Sequence, residues 1–346
     1  MAALIGRPFF LLAFWRKGTF SLNMSDEVIF SYALNGPKQG QELRGESIAE
    51  ELQCDNLAWV HLDRAHMDTR EWFTANMSYL EDSVVDALLA EETRPRASSV
   101  GDGMMVILRG VNTNEGAAPE DMVSIRIWAD ARRIVSLRKF KVRAAEDIAQ
   151  TIIAGTGPTT AGAFLAAMTE RLDARIEATI GELDDATDEL EERLVAQAEP
   201  ALRHPITDIR RRTIQLRRHI SPQREAVNAM TTAQHDWIDD PSRRRLSHAH
   251  DRLSRFVEDL DAIRDRAQVV KDELTNALAD RLNRNTYVLS VIAAIFLPLG
   301  FLTGLMGINL GGIPGAASAN AFWIFSGILV VLVIAQVVIF RMLRWF

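Results

Sequence analysis

The chain has 346 residues, a formal net charge of -7, 48% apolar and 25% charged residues, and one cysteine. The length accommodates two or three domains, and the negative charge argues against a general nucleic-acid binder. A single cysteine excludes both an intrachain disulfide framework and a four-cysteine zinc site; Cys54 is expected to be a small buried residue in a reducing compartment.

Residues 1–23 are expected to be an N-terminal extension. The apolar run from Pro8 to Trp15 is followed, not preceded, by Arg16 and Lys17. It carries no A-x-A cleavage signal and is too short to span a bilayer; an interfacial anchor is the alternative. Residues 24–157 predict an α/β domain. Strands are expected at 27–34, 58–63, 103–112, 122–130 and 132–140, the last two forming a hairpin through Asp130–Arg132. Between them, helices are expected at 45–52, 67–77 and 83–92, with Asp82 or Ser83 as a cap and Pro95 near the end of the third. The stretch "AGTGPTTAG" at 154–162 is a boundary, and without a lysine after its glycines it is not a phosphate-binding loop.

Residues 158–240 predict a helical hairpin. Leu165, Met168, Leu172, Ile176, Ile180, Leu183, Leu190 and Leu194 recur at helical spacing, opposite a face crowded with Glu182, Asp184, Asp185, Asp188, Glu189, Glu191 and Glu192. Pro200 and Pro205 punctuate it, and an arginine-rich second helix follows to about 237. A long stalk helix is expected over 241–285, where the period becomes seven. Leu246, Leu253, Leu260, Ala267 and Leu274 form one series; Ala249, Phe256, Ile263, Val270 and Ala277 form the other. Two such series make a coiled-coil seam and predict self-association, the alternative being a helix packed only within its own chain.

No Asp, Glu, Lys, Arg or His occurs between Arg284 and Arg341. Two transmembrane helices are expected, at 286–307 and 321–342, joined by a neutral outer loop at 308–320 and followed by a tail at 343–346. Arg281, Arg284, Arg341 and Arg344 flank the spans on one side, so both termini are expected to be cytoplasmic. Trp323 and Trp345 suit interfacial belts. Two spans per chain cannot enclose a water-filled path, so several copies are expected around one axis. The heptads extrapolate to Asn276, Asn283, Ser290, Leu297 and Gly304, and a neighbouring series to Asp265, Asp272, Ala279, Thr286, Ala293 and Gly300. Asn283, Thr286, Ser290, Leu297, Gly300 and Gly304 are therefore pore-lining candidates. A polar stripe in a membrane helix faces a pore or a partner helix, and Leu297 with Leu289 could form a constriction that gates by dewetting. With no carboxylate at membrane depth, a largely hydrated ion is the expected cargo.

The first span ends in "GLMGIN", residues 304–309, and this closely resembles the CorA superfamily of divalent-cation transporters. The hallmark Gly-Met-Asn reads Gly307-Ile308-Asn309 here, a variant similar to the zinc-transporting ZntB branch. Supporting stretches are "ETRPR" at 92–96, "LRGVN" at 108–112, "EDMVSIRIW" at 120–128 and "RRIVSLR" at 132–138. The resemblance covers roughly residues 27–346. It implies a funnel-shaped homopentamer in the inner (plasma) membrane: an α/β cytoplasmic domain, a long stalk helix and two rings of transmembrane helices. It also implies an Asn309 ring at the outer mouth that meets the metal through its hydrating water. Gly307 would permit a close turn after the helix. Proton-coupled zinc uptake is the activity implied, with cadmium, nickel, cobalt or magnesium as other ions. The neutral loop would not concentrate cations by charge. Asp265 and Asp272 are stalk cation-site candidates, pairing with Arg264, Arg266 or Lys271 being the alternative. A magnesium or cobalt channel and a non-conducting membrane-anchored scaffold are rival readings. An enzyme is disfavoured: no nucleophile elbow, H-E-x-x-H or P-loop occurs.

Overall fold

A computed structural model describes residues 26–308, 315 and 318–342. The expected extension at 1–23, Asn309, most of the outer loop and the tail at 343–346 lie outside the described residues. The rest forms two compact units: residues 26–187 with Asp208–Arg266, and Asp188–Thr207 with Ala267 onward.

The first unit is built on a six-stranded sheet of β1 (Val28–Ala33), β2 (Ala58–Asp63), β3 (Arg96–Val100), β4 (Gly103–Gly110), β5 (Val123–Ala129) and β6 (Arg133–Arg138). Their spatial order is β1-β2-β6-β5-β4-β3. Only β2 and β6 run parallel; the other neighbours are antiparallel. Central strands such as β2, AWVHLD, are buried on both faces and so read as near-continuous apolar runs. Alternation then assigns the two cores. Val60, Leu62, Val135 and Leu137 join Ile48, Leu52, Trp72, Phe73, Val84 and Leu88 from α1 (Glu46–Gln53), α2 (Thr69–Asn76) and α3 (Asp82–Leu89). On the opposite face, Trp59 packs edge-on against Phe164 at 4.8 Å.

Three arginines tie the loop after α3 to the sheet. Arg126 donates to the carbonyls of Leu88 and Glu91, Arg64 to Leu89 and Ala90, and Arg109 to Thr93 and Met122. Carbonyls at a helix C-terminus lack intrahelical donors and carry partial negative charge, so cations satisfy them on both counts. Burial, then the neighbouring guanidinium groups, lower the pKa of Arg126 to about 10.

The helical part continues with α4 (Arg143–Ile153), α5 (Ala161–Ala196), a 3-10 turn at Pro200–Leu202, α6 (Arg203–Thr232) and α7 (Asp240–Met306). Within the first unit α5 and α7 run parallel. Glu170 pairs with Arg245, Asp173 with Arg252 and Asp184 with Arg266, at 2.6, 3.5 and 2.8 Å. α6 runs in the opposite sense: Arg217 meets Asp261 at 2.7 Å, and Arg243 near the start of α7 donates to the carbonyls of Thr231 and Ala233.

Several expectations need correction. Cys54 is exposed at the end of α1, because it lies beyond the buried stripe of Ile48, Glu51 and Leu52. The N-cap of α3 is Glu81, not Asp82 or Ser83, and its side chain makes no capping bond. The seven-residue seam of α7 is filled by the chain itself. Leu246, Ala249, Leu253, Phe256, Leu260 and Ile263 are all buried in a single chain, so they are not a free surface for self-association. β3 and α4 have no counterpart among the expected elements.

In the second unit, Leu190, Leu194, Leu202 and Ile206 are buried, as are Ala267, Val270 and Leu274 of α7. From Thr275 onward α7 is largely bare. The second span is α8 (Ala321–Met342).

Candidate functional site

Two helices, the C-terminal part of α7 and all of α8, are long and apolar enough to cross a membrane, and almost none of either span is buried within the chain. A core helix of a soluble protein passes the same length test but is mostly covered. Here Leu289, Phe296, Leu297, Phe301, Phe322, Trp323 and Val331 all stand out from the chain. Contiguous apolar surface of this extent calls for lipid or another protein surface.

The two sides of the first span differ. Val291 is buried, and Ala294, Ile295, Leu299 and Leu302 are half-buried. At about 100° per residue these positions share one side of the helix. Asn283, Thr286, Ser290, Leu297, Gly300 and Gly304 are exposed and fall on the other side. The six candidate positions are thus together on one uncovered stripe, backed by the packed side.

The stripe is neutral throughout, and oxygen-bearing at Asn283, Thr286 and Ser290. Ser290 Oγ donates to the carbonyl of Thr286 at 2.9 Å, so its hydroxyl proton is used locally. The oxygen keeps lone pairs to accept from water. Asn283 adds an amide near the start of the apolar stretch. A β-carbon added at Gly300 or Gly304 would meet nothing within 4 Å. No contact among the described residues demands glycine there; small residues on a membrane helix let helices approach closely. Gly307 ends α7, its N–H donating to the carbonyls of Thr303 at 2.9 Å and Gly304 at 3.2 Å. A β-carbon on it would lie 3.2 Å from the Thr303 carbonyl. Gly307 is not among the glycines with positive φ, so crowding against that carbonyl, rather than a left-handed turn, favours glycine. Ile308 follows, half exposed at 46%.

The stalk candidates both have partners within the chain. Asp265 accepts from Arg264 at 2.9 Å, and Asp272 accepts from Gln268 at 2.7 and 2.8 Å. Arg266, a further cation near Asp265 in sequence, pairs with Asp184. Among the described residues no three or more His, Cys, Asp or Glu side chains converge to hold a metal. The buried His61 and the half-buried His219 are both shifted toward the neutral form. Burial lowers the pKa of His61 to about 3, with Arg138 adding to it. Burial, then Arg109, Arg218 and Arg94, lower that of His219 to about 4.

A family model described as CorA-like Mg2+ transporter protein matches residues 55–342. The chain is 38% identical over 314 residues to the zinc transport protein ZntB of Yersinia enterocolitica, covering 91% of this chain and 94% of that protein. It is 36% identical to the divalent cation transporter CmaX of Pseudomonas aeruginosa, over 92% of this chain and 96% of that one. The solved structure of full-length CmaX matches with a TM-score of 0.80, covering 92% of this chain and 98% of its own.

Proposed function

This chain belongs to the CorA-like family, and from that premise we propose that it carries divalent cations, zinc by preference, across a membrane through a central pore lined by the first span of several copies. The observation that carries this reading is the uncovered neutral stripe from Asn283 to Gly304. One chain leaves it bare, and only copies arranged around an axis can turn such a stripe into the wall of a water-filled path. The names of the relatives support zinc, and the description of the family model keeps magnesium as the rival cargo.

The reading assigns five copies, an inner-membrane location and cytoplasmic termini, supported by Arg281, Arg284 and Arg341 beside the two spans. Residues 24–157 and 158–240 form the cytoplasmic domain, 241–285 the stalk, 286–307 and 321–342 the spans and 308–320 the outer loop. Gly307, Ile308 and Asn309 form the selectivity motif. Five Asn309 amides accept hydrogen bonds from the water around the cation and leave its hydration shell in place, without the deep well of a carboxylate ring. Asp265 and Asp272 would approach the axis as weak cation sites, in competition with Arg264 and Gln268. Uptake is coupled to protons, and cadmium, nickel, cobalt and magnesium are secondary ions.

The test is metal entry into liposomes containing the purified protein, followed with zinc- and magnesium-sensitive dyes at two imposed pH gradients. Zinc entry faster than magnesium entry, and faster with an inward proton gradient, is expected. Magnesium entry without zinc entry overturns the zinc assignment, and equal rates at both gradients overturn the coupling.

A further inference from the structure

Pro298 breaks the hydrogen-bond ladder of the first span. In an α-helix the N–H of residue 298 would donate to the carbonyl of Ala294; proline has no N–H, and its ring crowds that same carbonyl. Hydrocarbon offers no water as a substitute, so the freed carbonyl needs a donor from a neighbouring helix. That donor comes from the second span. Gln336 is the only amide side chain in α8, and its Nε2 donates to the carbonyl of Ala294 at 3.5 Å. The carbonyl can only accept, so the amide nitrogen must face it. Gln336 Oε1 is buried and has no hydrogen-bond partner among the described residues. A glutamine placed there for packing alone would leave both amide ends unmet; one end is met, at the single carbonyl that proline orphans.

We infer that Gln336 is a positioning residue for the pore helix: it returns, from α8, the hydrogen bond that Pro298 removes from α7. This rests on reading α7 as the pore-lining helix. Without the 298-to-294 bond, the segments before and after Pro298 are free to change their mutual angle. The Gln336 bond fixes that angle. Leu297, a candidate constriction, is adjacent to the joint, and Gly300 and Gly304 follow it within two turns. At 3.5 Å the bond is long and correspondingly weak.

The test is a double-mutant cycle on the full-length protein, with two readouts: initial zinc entry into liposomes and thermal unfolding in detergent. Gln336→Leu should change zinc entry by about threefold, the size of an average hydrogen bond between membrane helices, and should lower Tm. Pro298→Ala restores the N–H at 298. In that background Gln336→Leu should change neither readout, because Ala294 already has its donor. Gln336→Met serves in the same cycle, being unbranched and close in shape. Equal effects of the Gln336 substitutions in both backgrounds, or no effect in either, overturn the inference. If the parent carries no zinc but the Tm coupling appears, the transport reading fails and the joint stands. If the parent carries zinc and neither readout couples, the joint fails alone.

Discussion

Asp173 sits on α5 with both carboxylate oxygens buried and, among the described residues, with no partner but the long ion pair to Arg252 at 3.5 Å. Burial is the larger effect and raises its pKa to about 8, against the opposing pull of Arg252. An exposed aspartate in the unfolded chain titrates near 3.9. Between about pH 4 and pH 8 the folded state therefore holds one proton more than the unfolded state, and stability falls as pH rises through that window. Thermal unfolding followed from pH 5 to 8 should show a flatter decline of Tm in Asp173→Asn than in the parent. An unchanged slope would mean that Asp173 is charged in the fold. None of this was legible in the sequence, where Asp173 is one acid among many on a helix rich in them. Its distinction is burial, which tertiary packing alone confers.

At the scale of elements, legibility followed contrast. The strands β2, β4, β5 and β6 are buried runs of Val, Ile, Leu and Met, and the two spans carry no charge before Arg341, so both stand out from the rest of the chain. β3, RASSV, is largely exposed and mostly polar, and gives no period-2 signal. α4 does carry a helical signature, since Ala144, Ala145, Ile148, Ala149 and Ile152 recur at helical spacing on its buried face, so it was legible, yet the expected elements omit it. The heptads of α7 were legible as a seam but not as to what covers it, because a period of seven specifies a stripe, not the partner. Two substitutions separate these roles. Leu260→Ala opens a cavity inside the chain and should destabilise the fold by about 2–5 kcal/mol, seen as a lower Tm. A β-carbon at Gly304 meets nothing within 4 Å among the described residues; Gly304→Leu should leave Tm of the isolated chain unchanged while reducing assembly, measured by light scattering in detergent. Assembly intact in Gly304→Leu counts against close helix approach at that position.

At the scale of the whole molecule, what one chain leaves bare defines the account. The seam is covered as far as Leu274, and beyond it the stripe of amide, hydroxyl and glycine positions is not. The two apolar C-terminal helices and the family were legible in the residues. The bond from Gln336 to Ala294 was not, since it joins positions 42 residues apart in the chain. Only the pairing of a proline in one span with a lone amide in the other hinted at it. The most direct measurement of the central claim is the initial rate of zinc entry into liposomes for the parent and for Asn309→Ala, at matched protein content and oligomeric state. The account predicts zinc entry by the parent and a loss of at least about tenfold in the variant, the cost of about 1.4 kcal/mol at a single step of the path. Equal rates for the two proteins would contradict an asparagine ring that meets the ion, and no zinc entry by either would contradict the zinc pore itself.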